Sequence, residues 1–317
     1  MPAVSTLVCR QARTEADGVK TFVFEPDAQV PYRAGQFMTF DIGGASRCYT
    51  LSSSPTRPDR IAVTVKRTAG GVVSGRLHDT VGPGSVVRAS EPAGLFTLED
   101  HPADRYLFLT AGSGITPLMS IARSLYDLAD PGPDVVSLHS ARDGLFRAEL
   151  ELIARALPGL TARRTRERLT AEALRAAVPD VAEREILSCG PPGYRLAVRA
   201  MLDALGCDPA RLHEESFALA APEPPASAEG SGFRVEFTAS GRSVLCPPGA
   251  TLLDAAEAAG VAVATSCRVG LCGTCKSELT AGRVEMDHQG GIRAREIAQG
   301  KVLLSCARPL TDLVVDR

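Results

Sequence analysis

Four cysteines late in the chain constrain its folding more than any other feature. They stand in the strings TSCRVGLCGTC and SCARP as Cys267-x4-Cys272-x2-Cys275, with Cys306 after thirty intervening residues. Any fold must curl a tight loop through the first three sulfurs and bring a distant segment back to place the fourth. The spacing is the plant-type one for a [2Fe–2S] cluster, which takes four thiolates, two on each iron. Gly270 and Gly273 let the backbone curl closely, so that its amides can point at sulfur. Structural zinc fits less well. It usually takes two separated C-x2-C pairs or a Cys/His mixture, whereas Cys306 stands alone and His288 has no suitably spaced partner.

Composition sharpens that reading. The formal net charge of −2 excludes a general affinity for nucleic acid or an anionic membrane surface. No uncharged apolar run approaches the roughly 18–20 residues that span a bilayer. The opening MPAVSTLVCRQARTEADG lacks the apolar core of a secretory signal, so a cytoplasmic protein is expected. In that compartment nine cysteines point to metal or redox chemistry rather than to disulfides. A chain of 317 residues is long for one core, and two or three domains are expected.

Three textures follow one another. Residues 1–102 carry short Val-, Phe- and Thr-rich stretches at 20–24, 36–41 and 60–66, separated by Gly/Pro clusters, and predict a small antiparallel β-barrel. Residues 103–217 alternate apolar runs (106–110, 135–139, 185–188) with helical patterns (118–128, 147–156, 195–205), which predicts an α/β domain on a parallel sheet. Residues 218–232, ALAAPEPPASAEGSG, read as a linker. Residues 233–317, with a strand at 233–239 and a helix at 251–259, hold the cysteine loop.

The first domain contains RCYTLSS (residues 47–53) and GGVVS (residues 70–74). A flavin nucleotide needs an aromatic plate, hydrogen bonds to its ring and donors for phosphate. Tyr49 can stack on the ring, Ser52 can bond the ring nitrogen that accepts hydride, and Arg47 offers a fixed fork of donors. The Gly70-Gly71 turn exposes amides and, if it opens a helix, adds a helix N-terminus that reaches Val73 and Ser74. Thr50 and Lys66, the latter closing the strand before that turn, complete the candidate contacts. In the second domain LTAGSGITP follows a buried run and opens a helix, placing Gly112, Gly114, Thr116 and Pro117 where a pyrophosphate would sit. CGPPGY repeats that context with Cys189, Gly190 and Pro191. Ser140 and Arg142, just after the second strand, lie where a 2′-phosphate could be recognised.

Together these strings resemble the ferredoxin–NADP reductase superfamily, and the C-terminal module resembles plant-type ferredoxin, which implies a β-grasp fold there. The resemblance implies that Cys189 lies beside the nicotinamide and the flavin, that Phe217 shields the ring, and that Glu215 belongs to the same segment. Phenylalanine is usual where Tyr194 stands. The RxYT-L-S-S form is similar to the FAD-dependent branch found in reductases of betaine monooxygenases and hybrid-cluster proteins. The phthalate dioxygenase reductase branch uses FMN, so FAD is expected with FMN as the alternative. NADH is expected, with NADPH left open by Arg142. The implied activity is electron transfer from NADH through flavin and [2Fe–2S] to a partner terminal oxygenase, Rieske-type or related, or to another metalloprotein acceptor. A hybrid-cluster protein reductase and a redox-sensing module are the alternatives. Arg268 is an exposed candidate at the acceptor face.

Other residues carry blander expectations. Cys9, Cys207 and Cys246 read as packing or surface thiols. Cys48 should point away from the face that Tyr49 occupies. His78, His101, His139, His213 and His288 read as solvent-facing or structural.

Overall fold

A computed structural model describes residues 4–129, 132–215, 232–265 and 267–317. The expected linker falls almost wholly outside them, as does Phe217. The chain divides at 217/218 into two compact units, each taken by itself below.

The first unit begins with an antiparallel six-stranded sheet in the order β4-β3-β6-β1-β2-β5. Its strands are β1 (Val4–Ala16), β2 (Val19–Pro26), β3 (Phe37–Ile42), β4 (Ala45–Thr50), β5 (Ile61–Lys66) and β6 (Val86–Ser90), with helix α1 (Val72–Thr80) between the last two. A bridge between Leu51 and Val63 joins the two edges, closing the predicted barrel. The interior is filled by Leu7, Phe22, Phe24, Met38, Phe40, Val63 and Leu77, all fully enclosed.

A parallel five-stranded sheet follows, in the order β11-β10-β7-β8-β9. It comprises β7 (Arg105–Ala111), β8 (Asp134–Ser140), β9 (Leu160–Thr165), β10 (Glu185–Cys189) and β11 (Leu212–Glu215). Helices α2 (Thr116–Leu128) and α3 (Arg147–Ala156) cover one face, where Leu118, Ile121, Leu150 and Ile153 meet Tyr106, Phe108 and Val135. Helices α4 (Ala171–Ala177) and α5 (Pro192–Ala204) cover the other, where Leu174, Val198 and Met201 meet Leu107, Leu109 and Ile186. Helix α5 starts three residues before the predicted onset, because Pro192 sits in its first turn, where its missing N–H costs nothing. Strands β7 and β10 are neighbours on which the chain order reverses, and a crevice at their carboxyl ends is the ligand-binding place of such sheets.

The second unit is a mixed sheet in the order β13-β12-β18-β14-β16, with β12 and β18 parallel. Its strands are β12 (Phe233–Phe237), β13 (Arg242–Cys246), β14 (Lys276–Ala281), β16 (Lys301–Leu303) and β18 (Leu313–Asp316), and a separate pair joins β15 (Val284–Met286) to β17 (Ala307–Pro309). Helix α6 (Leu252–Ala258) packs Leu252, Leu253, Ala255 and Ala256 into the core, and a Thr251/Asp254 capping box fixes its start. The short helix α7 (Ala294–Ala298) precedes β16. Among the described residues no helix is long and apolar enough to cross a membrane.

Candidate functional site

The cysteine loop lies between α6 and β14, and its sulfurs fall into two pairs. Cys267 and Cys272 interact thiol to thiol, which lowers the Cys272 thiol, with the Thr274 hydroxyl and amide assisting. Cys306 is pushed up to about 12 by burial, with Cys275 the next cause. Backbone amides of Leu271 and Cys272 donate to Cys267 Sγ at 3.2 Å each, and Thr274 donates its hydroxyl to Cys272 Sγ at 3.0 Å. Gly270 and Gly273 have φ of +72° and +75°, which only glycine adopts without strain. A Cβ on Gly270 would stand 2.5 Å from Cys306 Sγ. Two thiol pairs, with amides aimed at one of them, fit a cluster that takes two thiolates per iron. Arg268 is committed to a bidentate pair with Glu257 at 2.6 and 2.8 Å.

In the barrel, Arg47 and Tyr49 share one face of β4 and Cys48 lies on the other, with its sulfur 3.4 Å from Thr39 Oγ1. The half-buried Tyr49 ring meets Phe40 edge-on at 6.0 Å, and burial raises its phenol while the neighbouring Arg47 works in the opposite direction. Thr50 Oγ1 is buried and has no hydrogen-bond partner among the described residues, which fits a ligand group there. Gly70 and Gly71 do open a helix, α1, with Gly71 as its N-cap. Ser74 Oγ accepts from Thr68 N at 3.1 Å and donates to Gly71 O at 3.3 Å, so its hydroxyl braces the turn. Val73 is buried and Lys66 exposed. An open cleft of about 450 Å³ lies against the turn, lined by Gly18, Arg67, Thr68 and the glycines at 70, 71 and 75.

Ser52 is held differently from the sequence expectation. It is fully enclosed, its Oγ donating to Ala62 O at 3.2 Å and lying 3.1 Å from Thr64 Oγ1. Its position is fixed from inside the barrel.

At the end of the parallel sheet, the two nucleotide strings touch. A Cβ on Gly114 would stand 2.3 Å from Cys189 O and 3.0 Å from Gly190 N. The Gly112–Ile115 turn feeds α2, whose first turn has no acidic residue and which begins with Thr116 and Pro117, an arrangement open to an anion. Pro191 caps α5. One register row, Glu215–Cys189–Thr110–His139–Arg164, crosses all five strands. Cys189 is raised well above an ordinary thiol by burial and then by the charge of Glu215, and burial raises Glu215 far above the usual carboxylate range. Among the described residues, Glu215 Oε2, Ser188 Oγ and His139 Nε2 are buried without hydrogen-bond partners. Such groups are rare in native proteins and here gather at one sheet end, which fits a polar ligand. Tyr194, the departure from phenylalanine, sets its buried hydroxyl beside Ser140, while Arg142 is exposed.

None of the five histidines lies open to solvent. His78 and His139 are buried, the former with Nε2 2.9 Å from Val65 O. His101 and His213 stack at 3.5 Å, and His288 is half-buried. Cys9, Cys207 and Cys246 are buried packing thiols. His139 Nδ1 lies 2.9 Å from Thr110 Oγ1, and burial, with Arg164 adding to it, pushes the ring down to about 4. The unfolded chain therefore takes up this proton first as pH falls from about 6.5, and stability is lost on the acid side. Between pH 7 and 5 the difference amounts to about 2 kcal/mol. Urea unfolding at the two pH values should show His139→Gln losing about that much less than the wild type; equal losses would refute the assignment.

Sequence reasoning missed the residues that fasten α2 to the barrel. Ser120 Oγ donates to Ser53 O at 2.7 Å, Arg123 donates to Ser52 O, and Asp127 accepts from Thr56 and Arg57 at 2.6 Å each. The signal was present: Thr116, Ser120, Arg123 and Asp127 form a polar stripe at i, i+4, i+7 and i+11 on a helix otherwise mostly apolar.

Barrel, switch-point crevice and thiol loop together define a flavin- and iron–sulfur-dependent oxidoreductase. Residues 9–98 match the oxidoreductase FAD-binding domain, and residues 235–311 the 2Fe-2S iron–sulfur cluster binding domain. The glycine betaine monooxygenase reductase subunit of Pseudomonas aeruginosa (strain UCBPP-PA14) is 38% identical over 97% of this chain and 94% of its own length. The stachydrine N-demethylase reductase subunit Stc4 of Rhizobium meliloti (strain 1021) is 35% identical over 98% and 96%. Among solved structures, phthalate dioxygenase reductase, a modular structure for electron transfer from pyridine nucleotides to [2Fe–2S], aligns with a TM-score of 0.62 and 25% identity, covering 98% of this chain and 97% of that one. The chain belongs to this family of NAD(P)H-dependent oxidoreductases, whose cofactors are FAD and a [2Fe–2S] cluster.

Proposed function

We propose that this chain is the cytoplasmic reductase component of an oxygenase system, taking electrons from NADH and delivering them to a partner terminal oxygenase. The observation that carries the reading is the convergence at the β7/β10 crevice, where the Gly112–Ile115 turn packs directly on Cys189 and Gly190 amid buried polar groups without partners. Bound FAD supplies the conversion of a two-electron donor into single electrons, and the cluster supplies the exit.

The chain's own residues bind and orient. Tyr49 offers its ring to the flavin, Thr50 a hydroxyl, and Arg47 with the amides at the start of α1 the donors for pyrophosphate. Ser52 shapes the strand from within. Gly112, Gly114, Thr116 and Pro117 form the nucleotide's phosphate seat, Ser140 and Arg142 border its ribose, and Cys189 closes on the nicotinamide. Buried Glu215, whose Oε2 has no hydrogen-bond partner among the described residues, stands in the register row of Cys189, where it can meet the same ligand. Phe217 remains the proposed shield of the ring. Cys267, Cys272, Cys275 and Cys306 hold the cluster. NADH is the proposed donor, with exposed Arg142, just after β8, leaving NADPH open. No feature of the described residues favours the hybrid-cluster or sensing alternatives.

An anaerobic titration tests the reading. Stoichiometric NADH should bleach both the flavin and the iron–sulfur absorption, and NADPH should do so with lower kcat/KM. Flavin bleaching without cluster reduction would break the proposed route at its last step.

A further inference from the structure

The polar stripe on α2 joins the two halves of the proposed reaction centre. At its head, Thr116 Oγ1 donates to Ser113 O at 3.1 Å, inside the turn where the nucleotide phosphates would sit. One turn on, Ser120, fully buried, holds Ser53 O, and the next residue of the stripe, Arg123, holds Ser52 O. At its foot, Asp127 takes Thr56 and Arg57. The barrel segment thus gripped continues directly from Tyr49 and Thr50.

Arg123 is the most constrained member. Its guanidinium pairs bidentately with Glu149 of α3 at 2.7 Å on both nitrogens, lies over the Phe146 ring at 5.0 Å, and still gives Nη1 to the Ser52 carbonyl. Its side chain is only 15% exposed. An arginine fork locked on one edge by a carboxylate and on one face by an aromatic ring has little freedom left, so the third contact is held in a fixed direction. Ser52 is simultaneously tied from the barrel side through N to Ala62 O at 2.8 Å and through Oγ to Ala62 and Thr64. Ser52, two residues after the proposed flavin contacts, is therefore clamped between its own barrel and the nucleotide-binding helix.

We propose that Arg123 is a positioning residue for electron transfer from nicotinamide to flavin, registering residues 49–53 against the helix that begins at the nucleotide turn. The proposal rests on the assignment of flavin to Tyr49 and Thr50 and of nicotinamide to Cys189. Removing the clamp deletes no group that touches either ligand but frees their mutual distance, and such misplacement costs rate rather than affinity.

The test uses anaerobic stopped-flow reduction of the purified, FAD- and cluster-loaded protein by NADH. Arg123→Met is expected to lower the limiting rate of flavin bleaching by about 10²-fold, with the half-saturating NADH concentration within about threefold of wild type. FAD content and reduction of the cluster by dithionite should not change. Arg123→Lys, which can still reach Ser52 O but cannot fork, should recover part of the rate. Glu149→Gln keeps that donor, so it should lower Tm while leaving the limiting rate within about twofold. A merely structural arginine would reverse the pattern: Tm would fall in Arg123→Met and Glu149→Gln alike, with the limiting rate unchanged, and that result would overturn the proposal. Arg123→Lys and Ser120→Ala decide the question if Arg123→Met does not fold, since unchanged rates in both would also refute it. Cys189→Ala is the companion measurement. If it slows bleaching while the Arg123 variants do not, the clamp proposal fails alone; if it has no effect, the assignment of the nicotinamide site fails.

Discussion

Alanine at Cys272 is expected to abolish the visible absorption of the cluster and the paramagnetic signal of its reduced form. Electron delivery to a protein acceptor should fall by more than about 100-fold, since even outer-sphere changes at metal sites cost 10–100-fold. Reduction of the flavin by NADH should stay near wild type, because the barrel and parallel sheet form a compact unit apart from the cysteine loop. Cys272 is the sharpest choice of the four. The Thr274 hydroxyl and amide are already aimed at its sulfur, at 3.0 and 3.5 Å. Retention of a full cluster in Cys272→Ala would mean that the four cysteines are not its ligands. Thr274→Val should keep the cluster but lower its potential, because a hydrogen bond to sulfur that eases reduction is lost.

Alanine at Gly114 should be nearly as damaging, for a steric reason. The new methyl would lie 2.3 Å from Cys189 O and 2.6 Å from its carbonyl carbon, and both are backbone atoms. No side chain can rotate away, so the nucleotide turn must lift off the Cys189–Gly190 loop. Overpacking of this kind costs about 1–3 kcal/mol, and a shift near 1 Å at a reacting centre costs about 10²-fold in rate. NADH-dependent flavin reduction should drop by that factor, while dithionite still reduces flavin and cluster. Gly193→Ala is the control: its methyl meets nothing within 4 Å on α5, so activity should be kept and stability unchanged or slightly raised. Equal activity in both variants would remove the contact between the two loops from any functional account.

How much of this was legible depended on the kind of constraint each residue carries. The thiol loop was readable because ligand number and reach dictate its spacing, and the glycines at 270 and 273 sit where the backbone must turn left-handed. Strands β7, β8 and β10 were readable as short apolar runs because parallel strands are buried on both faces. Strand β1 was not: bulges between Cys9 and Gln11 and between Thr14 and Ala16 break its alternation, and Arg10, Arg13 and Glu15 hide its inner face. Strand β9, LTARRT, lies at the sheet edge and needs no apolar run. Ser52 was identified by its string, but its orientation depended on Thr64 and Ala62 across the barrel, which no local pattern reveals. Arg123 escaped for a related reason. A polar stripe on a helix usually marks a solvent face, and only the tertiary contact shows that this one meets a second domain.

That stripe also decides which pieces of the molecule can be exchanged with a relative. Its contacts join residues 67 to 71 positions apart in sequence. A hybrid that took its barrel from one reductase and its nucleotide sheet from another, spliced between β6 and β7, would part the Ser52 and Ser53 carbonyls and the Thr56 and Arg57 side chains from the helix that fits them. The inheritable cassette is discontinuous: residues 52–57 travel with α2, and recombination that ignores this pairing yields two well-folded halves out of register.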